Sequence, residues 1–231
     1  MRLFIYLLLS FPLLVSAQEK VTKRNCRILF LNPPADAPAK LQLYDGTTCQ
    51  EVDMPEMNFS KLYTVAGGNL TLRFLRAPVV KPEEVPAGVP MSNVSETVTD
   101  CYLVVSGDPS NPVIPIRFQV IDAGEQKFRK GQMMWYNLTD QAVGGQVGKQ
   151  KLAMKSQSRV VLDPPAKTSE AYDVNIAYRI PDDELLHPIC QTQWIHDARS
   201  RMVVFVYGPG GRSTPQIAGF TDFRDEAKKP E

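Results

Sequence analysis

The hydrophobic positions alternate with a period of two over most of the chain. Leu70, Leu72 and Phe74 are separated by Thr71 and Arg73, and Ile114, Ile116, Phe118 and Val120 by Pro115, Arg117 and Gln119. In an extended strand successive side chains point to opposite faces, so this pattern predicts strands with one buried face. The runs at 28–31 (ILFL), 133–136 (MMWY) and 202–207 (MVVFVY) are apolar at every position and predict central strands covered on both faces. Helical spacing is confined to a single turn at 182–187, and residues 77–100, with proline at 78, 82, 86 and 90, predict an extended surface loop.

The pattern is written twice. RILFLN at 27–32 resembles QMMWYN at 132–137, each a buried strand ending at Asn32 or Asn137. NLTLRF at 69–74 matches DVNIAY at 173–178, and the strand–turn–strand at 102–123, ending near Asp122, matches 201–223, ending near Asp222. Three matches in one order predict an all-β chain of two tandem immunoglobulin-like antiparallel β-sandwich modules related by internal duplication. The modules are expected at 21–124 and 125–226, joined closely through EQKFRKGQ (125–132). In this frame Trp135 corresponds to Phe30 and is expected in the core.

Residues 27–46 also resemble a repeated, exported bacterial immunoglobulin-like domain family of unknown function. The resemblance rests on a strand, Asn32, the Pro33-Pro34-Ala35-Asp36-Ala37-Pro38 stretch, the strand LQLYDG (41–46) and the later YLVVSGD strand. It covers mainly the first module and implies the fold and export, not a chemistry.

The N-terminus supports the same compartment. One arginine, the apolar run LFIYLLLSFPLLV and Ser16-Ala17 predict a signal peptide over 1–17, cleaved near Ala17, and a secreted, periplasmic or cell-surface protein. The run is too short and too broken by Ser10 and Pro12 for a membrane span. In an oxidising compartment Cys26, Cys49, Cys101 and Cys190 read as two disulfides. Of the three pairings, Cys26–Cys49 is favoured if 26–31 and 44–49 form a hairpin, leaving Cys101–Cys190. Sequons at Asn58, Asn69, Asn93 and Asn137 are expected to be unmodified.

Charge and composition narrow the function. With 26 Lys+Arg against 25 Asp+Glu, no steering field toward nucleic acid exists, and two histidines leave little material for metal or acid/base sites. No cofactor is implied. The candidate chemistry concentrates at 187–199, where Trp194 could stack on a ligand ring and His187, His196 and Asp197 could bind. Two readings result: a non-catalytic binding or structural component of the envelope, with an unknown protein or carbohydrate ligand held near the module junction or Trp194, and a metal-dependent or hydrolytic enzyme built on His187, His196 and Asp197. The second requires those three side chains to converge in one cleft.

Overall fold

A computed structural model describes residues 23–180, 183, 185–208 and 214–223. The expected signal peptide and the charged tail lie outside the described residues. Among the described residues the chain forms sixteen strands and no α-helix; no helix there is long and apolar enough to cross a membrane.

The first module comprises β1 (Lys23–Phe30), β2 (Lys40–Tyr44), β3 (Cys49–Asp53), β4 (Tyr63–Ala66), β5 (Leu70–Leu75), β6 (Met91–Val94), β7 (Asp100–Gly107) and β8 (Ile116–Asp122). The second comprises β9 (Met133–Asn137), β10 (Ala142–Val147), β11 (Gln150–Met154), β12 (Ser158–Leu162), β13 (Ala171–Arg179), β14 (Leu186–Ile195), β15 (Ser200–Tyr207) and β16 (Gln216–Phe223). Their sheets have the orders β4-β1-β7-β8 (sheet I), β3-β2-β5-β6 (sheet II), β12-β9-β15-β16 (sheet III) and β11-β10-β13-β14 (sheet IV). Adding eight to every strand number of the first module reproduces the second, so the duplication is a property of the topology. Pairing is antiparallel except for one parallel pair in each module, β1 with β7 and β9 with β15.

Each module is a sandwich with its own core. Ile28, Phe30, Leu43, Phe74 and Leu103 fill the space between sheets I and II, and Trp135, Val174, Ile176, Val204 and Val206 that between sheets III and IV. A third cluster explains the strands that are apolar on both faces. Leu29, Tyr102 and Val104 of the first module and Phe128 of the connector pack against Met134, Tyr136, Val203 and Phe205 of the second. Sheets I and III therefore stand back to back, and their alternate residues serve two cores: Leu103 and Val105 face inward, Tyr102 and Val104 face the junction. Phe128, fully buried, pins the connector into this junction.

Arg201 crosses the junction as a buried cation, 1% exposed. Its Nη2 donates to Asp222 Oδ2 at 2.7 Å and to the Tyr102 hydroxyl at 2.9 Å, and its Nη1 donates to the carbonyls of Ala123 (2.6 Å) and Phe128 (2.9 Å). The Tyr102 hydroxyl donates in turn to Asp222, and Arg27 Nε pairs with Asp222 Oδ1 at 3.4 Å. A buried charge persists only when paired and hydrogen-bonded, so the network sets the modules in one relative position.

Several expectations are corrected. None of the four cysteines is in a disulfide. Residues 26–31 and 44–49 form no hairpin, because β2 pairs with β3 in sheet II, Tyr44 opposite Cys49, while Cys26 lies in sheet I. Cys101 faces the first module's core and Cys190 the second's, so the other pairing fails as well. Residues 77–100 are not wholly loop: a 3-10 turn forms at Pro82–Glu84, and β6 pairs with β5 as an edge strand of sheet II. An edge accepts a strand preceded by Pro90 because its outer backbone groups need no partner.

The helical turn expected at 182–187 is replaced at Leu186 and His187 by the start of β14; residues 181, 182 and 184 lie outside the described residues. Asn32 and Asn137 occupy unlike positions. Asn32 is exposed beyond β1 with φ 50°, whereas Asn137 is fully buried in β9, donating to the carbonyls of Gln141 and Lys155. In the second module residues 138–141 stand where the first has its proline-rich approach to β2, and in β10, at Gly145 (φ +153°), a Cβ would lie 1.9 Å from the Asn175 carbonyl oxygen. Only glycine fits beside that crossing, which faces the bulge of β13 and β14 at Ile176/Ala177.

Candidate ligand-binding groove

A groove of about 840 Å³ lies at one end of the module junction. Its position follows from the duplication. Where the two parallel pairs end, Leu31 N donates to Val105 O and Leu138 N donates to Val206 O, both at 2.8 Å. Beyond these equivalent bonds the chain leaves the sheets in both modules, and the space between the departing segments is the groove.

From the first module it is lined by Asn32, Pro33, Pro34, Asp36, Ser106, Asp108, Pro109, Pro115, Arg117 and Gln119, and from the second by Leu138, Gln157 and Tyr207. Part of the stretch that carries the family resemblance thus lines the groove. Asn32 and Gln157, each with φ 50°, are the two non-glycine residues of positive φ among the described residues, and both line this groove. Left-handed backbone is disfavoured for residues with a Cβ, more so for glutamine than for asparagine. Gln157 is held in it by its backbone N–H on Thr139 O at 3.2 Å and its Nε2 on Leu138 O at 2.8 Å.

The polar groups are amides, carboxylates, hydroxyls and one guanidinium. Arg117 Nε donates to Ser106 Oγ at 3.3 Å. The Asp108 carboxylate accepts from Ser110 Oγ at 2.6 Å and Ser110 N at 3.1 Å, and these bonds hold it below the usual carboxylate range, ionised at neutral pH. Proline rings and the Tyr207 ring provide apolar surface between them. The arrangement can bind a ligand by hydrogen bonds and ring contact; among the described residues that line it, no nucleophile sits beside a base.

The residues singled out in 187–199 lie elsewhere and do not converge. Residues 186–195 form strand β14; His187 lies near its start and His196 directly after its end, nine residues apart, about 30 Å at the strand rise. His187 Nε2 pairs with Asp183 Oδ2 at 2.8 Å and its ring lies against Tyr178. His196 is 5% exposed, and the hollow beside it is about 10 Å³, too small for a ligand. The Asp197 carboxylate accepts from Arg199 Nε at 3.2 Å and Arg199 N at 3.0 Å, which lowers its pKa. Trp194 is half-buried and stacks on the fully buried Trp135 at 5.7 Å with ring planes 7° apart, closing the second core. Among the described residues no group of three or more His, Cys, Asp and Glu could hold a metal ion.

Sequence reasoning offered a groove or aromatic patch near the junction or around Trp194 and named none of the groove-lining side chains. Proline clusters at 33–34 and 109–115 were the available signal, and they read equally well as turns. No protein-family model matches this chain, and no curated protein matches it.

Proposed function

We propose that this protein is an exported, non-catalytic binding component of the bacterial envelope that holds a neutral, hydroxyl-rich ligand, a carbohydrate, in the groove between its two β-sandwich modules. The observation that carries the reading is the groove itself: an open volume of about 840 Å³ where two rigid modules meet, lined by amides, carboxylates, one arginine, Tyr207 and prolines. Amides and carboxylates match hydroxyl donors and acceptors, and a tyrosine ring offers a face to the C–H surface of a sugar. The near-zero net charge gives no preference for polyanions. The signal-peptide pattern and the resemblance of residues 27–46 to exported bacterial domains support the compartment. Fold alone does not assign a ligand, so the reading rests on the site.

The test is binding of the protein lacking residues 1–17 to a glycan array, followed by titration of the best glycan. The expected outcome is saturable binding that Tyr207→Ala or Arg117→Ala weakens at least tenfold with unchanged thermal unfolding. Absence of binding, or binding that both variants leave intact, overturns it.

A further inference from the structure

The parallel pairing of β1 with β7 places Cys26 directly beside Cys101, both fully buried and both facing the first core. Neighbouring strands lie about 4.8 Å apart, within the Cα separation that a disulfide spans. The Cys101 thiol already reaches toward β1, its Sγ 3.7 Å from the Asn25 carbonyl oxygen. Cys49 and Cys190 lie in sheets II and IV, against other clusters.

We propose that Cys26 and Cys101 are an oxidisable pair that closes into a cross-strand disulfide when the chain folds in the presence of an external disulfide. One thiol, as thiolate, attacks a sulfur of the external disulfide and expels a thiolate. The second thiol, deprotonated, attacks the mixed disulfide, so the Cys26–Cys101 bond forms, the external disulfide is reduced to two thiols, and the two protons end on those thiols. Timing follows from burial: the sandwich interior admits no oxidant, so the exchange precedes closure of sheet II over sheet I. Arg24, two residues before Cys26 on the same face, supports the thiolate. From that position on the same strand its guanidinium acts electrostatically on both sulfurs. In the closed sandwich, burial and then the neighbouring Cys101 push the Cys26 thiol up, so a pair left reduced is inert there.

The experiment is oxidative refolding of the protein lacking residues 1–17 with oxidised and reduced glutathione, then denaturation, alkylation and mass analysis with a peptide map. The expected result is two alkylated thiols of four and a single linked peptide joining Cys26 to Cys101. The linkage persists in a Cys49→Ala/Cys190→Ala double variant, and in Cys26→Ala all three remaining thiols alkylate. Four alkylated thiols in the unsubstituted protein, or a linkage through Cys49 or Cys190, overturns the proposal. The unsubstituted readout holds whether or not the variants fold, and it is independent of any ligand in the groove.

Discussion

The two modules share a topology but neutralise their buried charges by different means. In the first, Arg24 is 1% exposed and is held by neutral groups only among its hydrogen bonds: Nε donates to Val98 O at 2.5 Å, and Nη2 to Gly68 O at 2.8 Å and Ser95 O at 2.9 Å. Asp45, also buried, accepts from Thr47, Thr48 and Ala66 of its own module. In the second, Arg201 and Asp222 satisfy each other and reach Tyr102, Ala123 and Arg27 of the first. A charge held by backbone groups braces the loops that supply them; a charge held by an opposite charge across a junction braces the junction. Copying a sandwich reproduces its hydrophobic pattern, but the new contact between copies requires its own polar lock.

The largest expected effect comes from breaking that lock. Arg201→Ala leaves Asp222 buried with its main partner gone and is expected to lower stability by about 3–5 kcal/mol in denaturant unfolding. Replacing both partners, Arg201→Met with Asp222→Leu, is expected to cost less than the sum of the two single changes, because neither member of the fully buried pair is left without the other. If the double variant is as unstable as the sum of the singles, the two do not act as a pair.

Arg24→Ala is expected to cost less, roughly 1–3 kcal/mol for the carbonyls it leaves unsatisfied, and to raise hydrogen exchange in the turns around Gly68 and Val98 while leaving the junction protected. Equal exchange increases at Tyr102 and Phe205 would remove the distinction between local and junctional bracing.

The smallest effect is a pH dependence. Burial acts to raise the Asp45 pKa, but the N–H groups of Thr48, Ala66 and Thr47 and the Thr47 hydroxyl outweigh it, and the folded value is lowered. A lowered folded pKa contributes stability that is present above the unfolded value, about 4, and is lost as pH falls through the folded one. The difference in stability between the unsubstituted protein and Asp45→Asn should therefore shrink below about pH 4; a constant difference down to pH 2 excludes this role.

Much of the architecture was legible because it depends on a period of two. Alternation at 70–74 and 114–120 located strands, and the all-apolar runs at 28–31, 133–136 and 202–207 identified the strands that face two cores. The groove residues were not legible. The positive φ of Asn32 and Gln157 arises where strands end, and neither residue type announces it. The place of Trp194 was not legible either: glutamines and threonine around it carry no strand alternation, although they belong to the edge strand β14.

The sequence by itself determined the duplicated all-β plan, since local alternation and repeated order need no knowledge of distant neighbours. Only the tertiary structure decided which cysteines are adjacent, where His187 and His196 part, and that Arg201 and Asp222 lock the junction. Those outcomes depend on which strands become neighbours across long sequence separations, and parallel pairing such as β1 with β7 leaves no local mark on the chain, because its register is fixed by packing on both sides of the sheet.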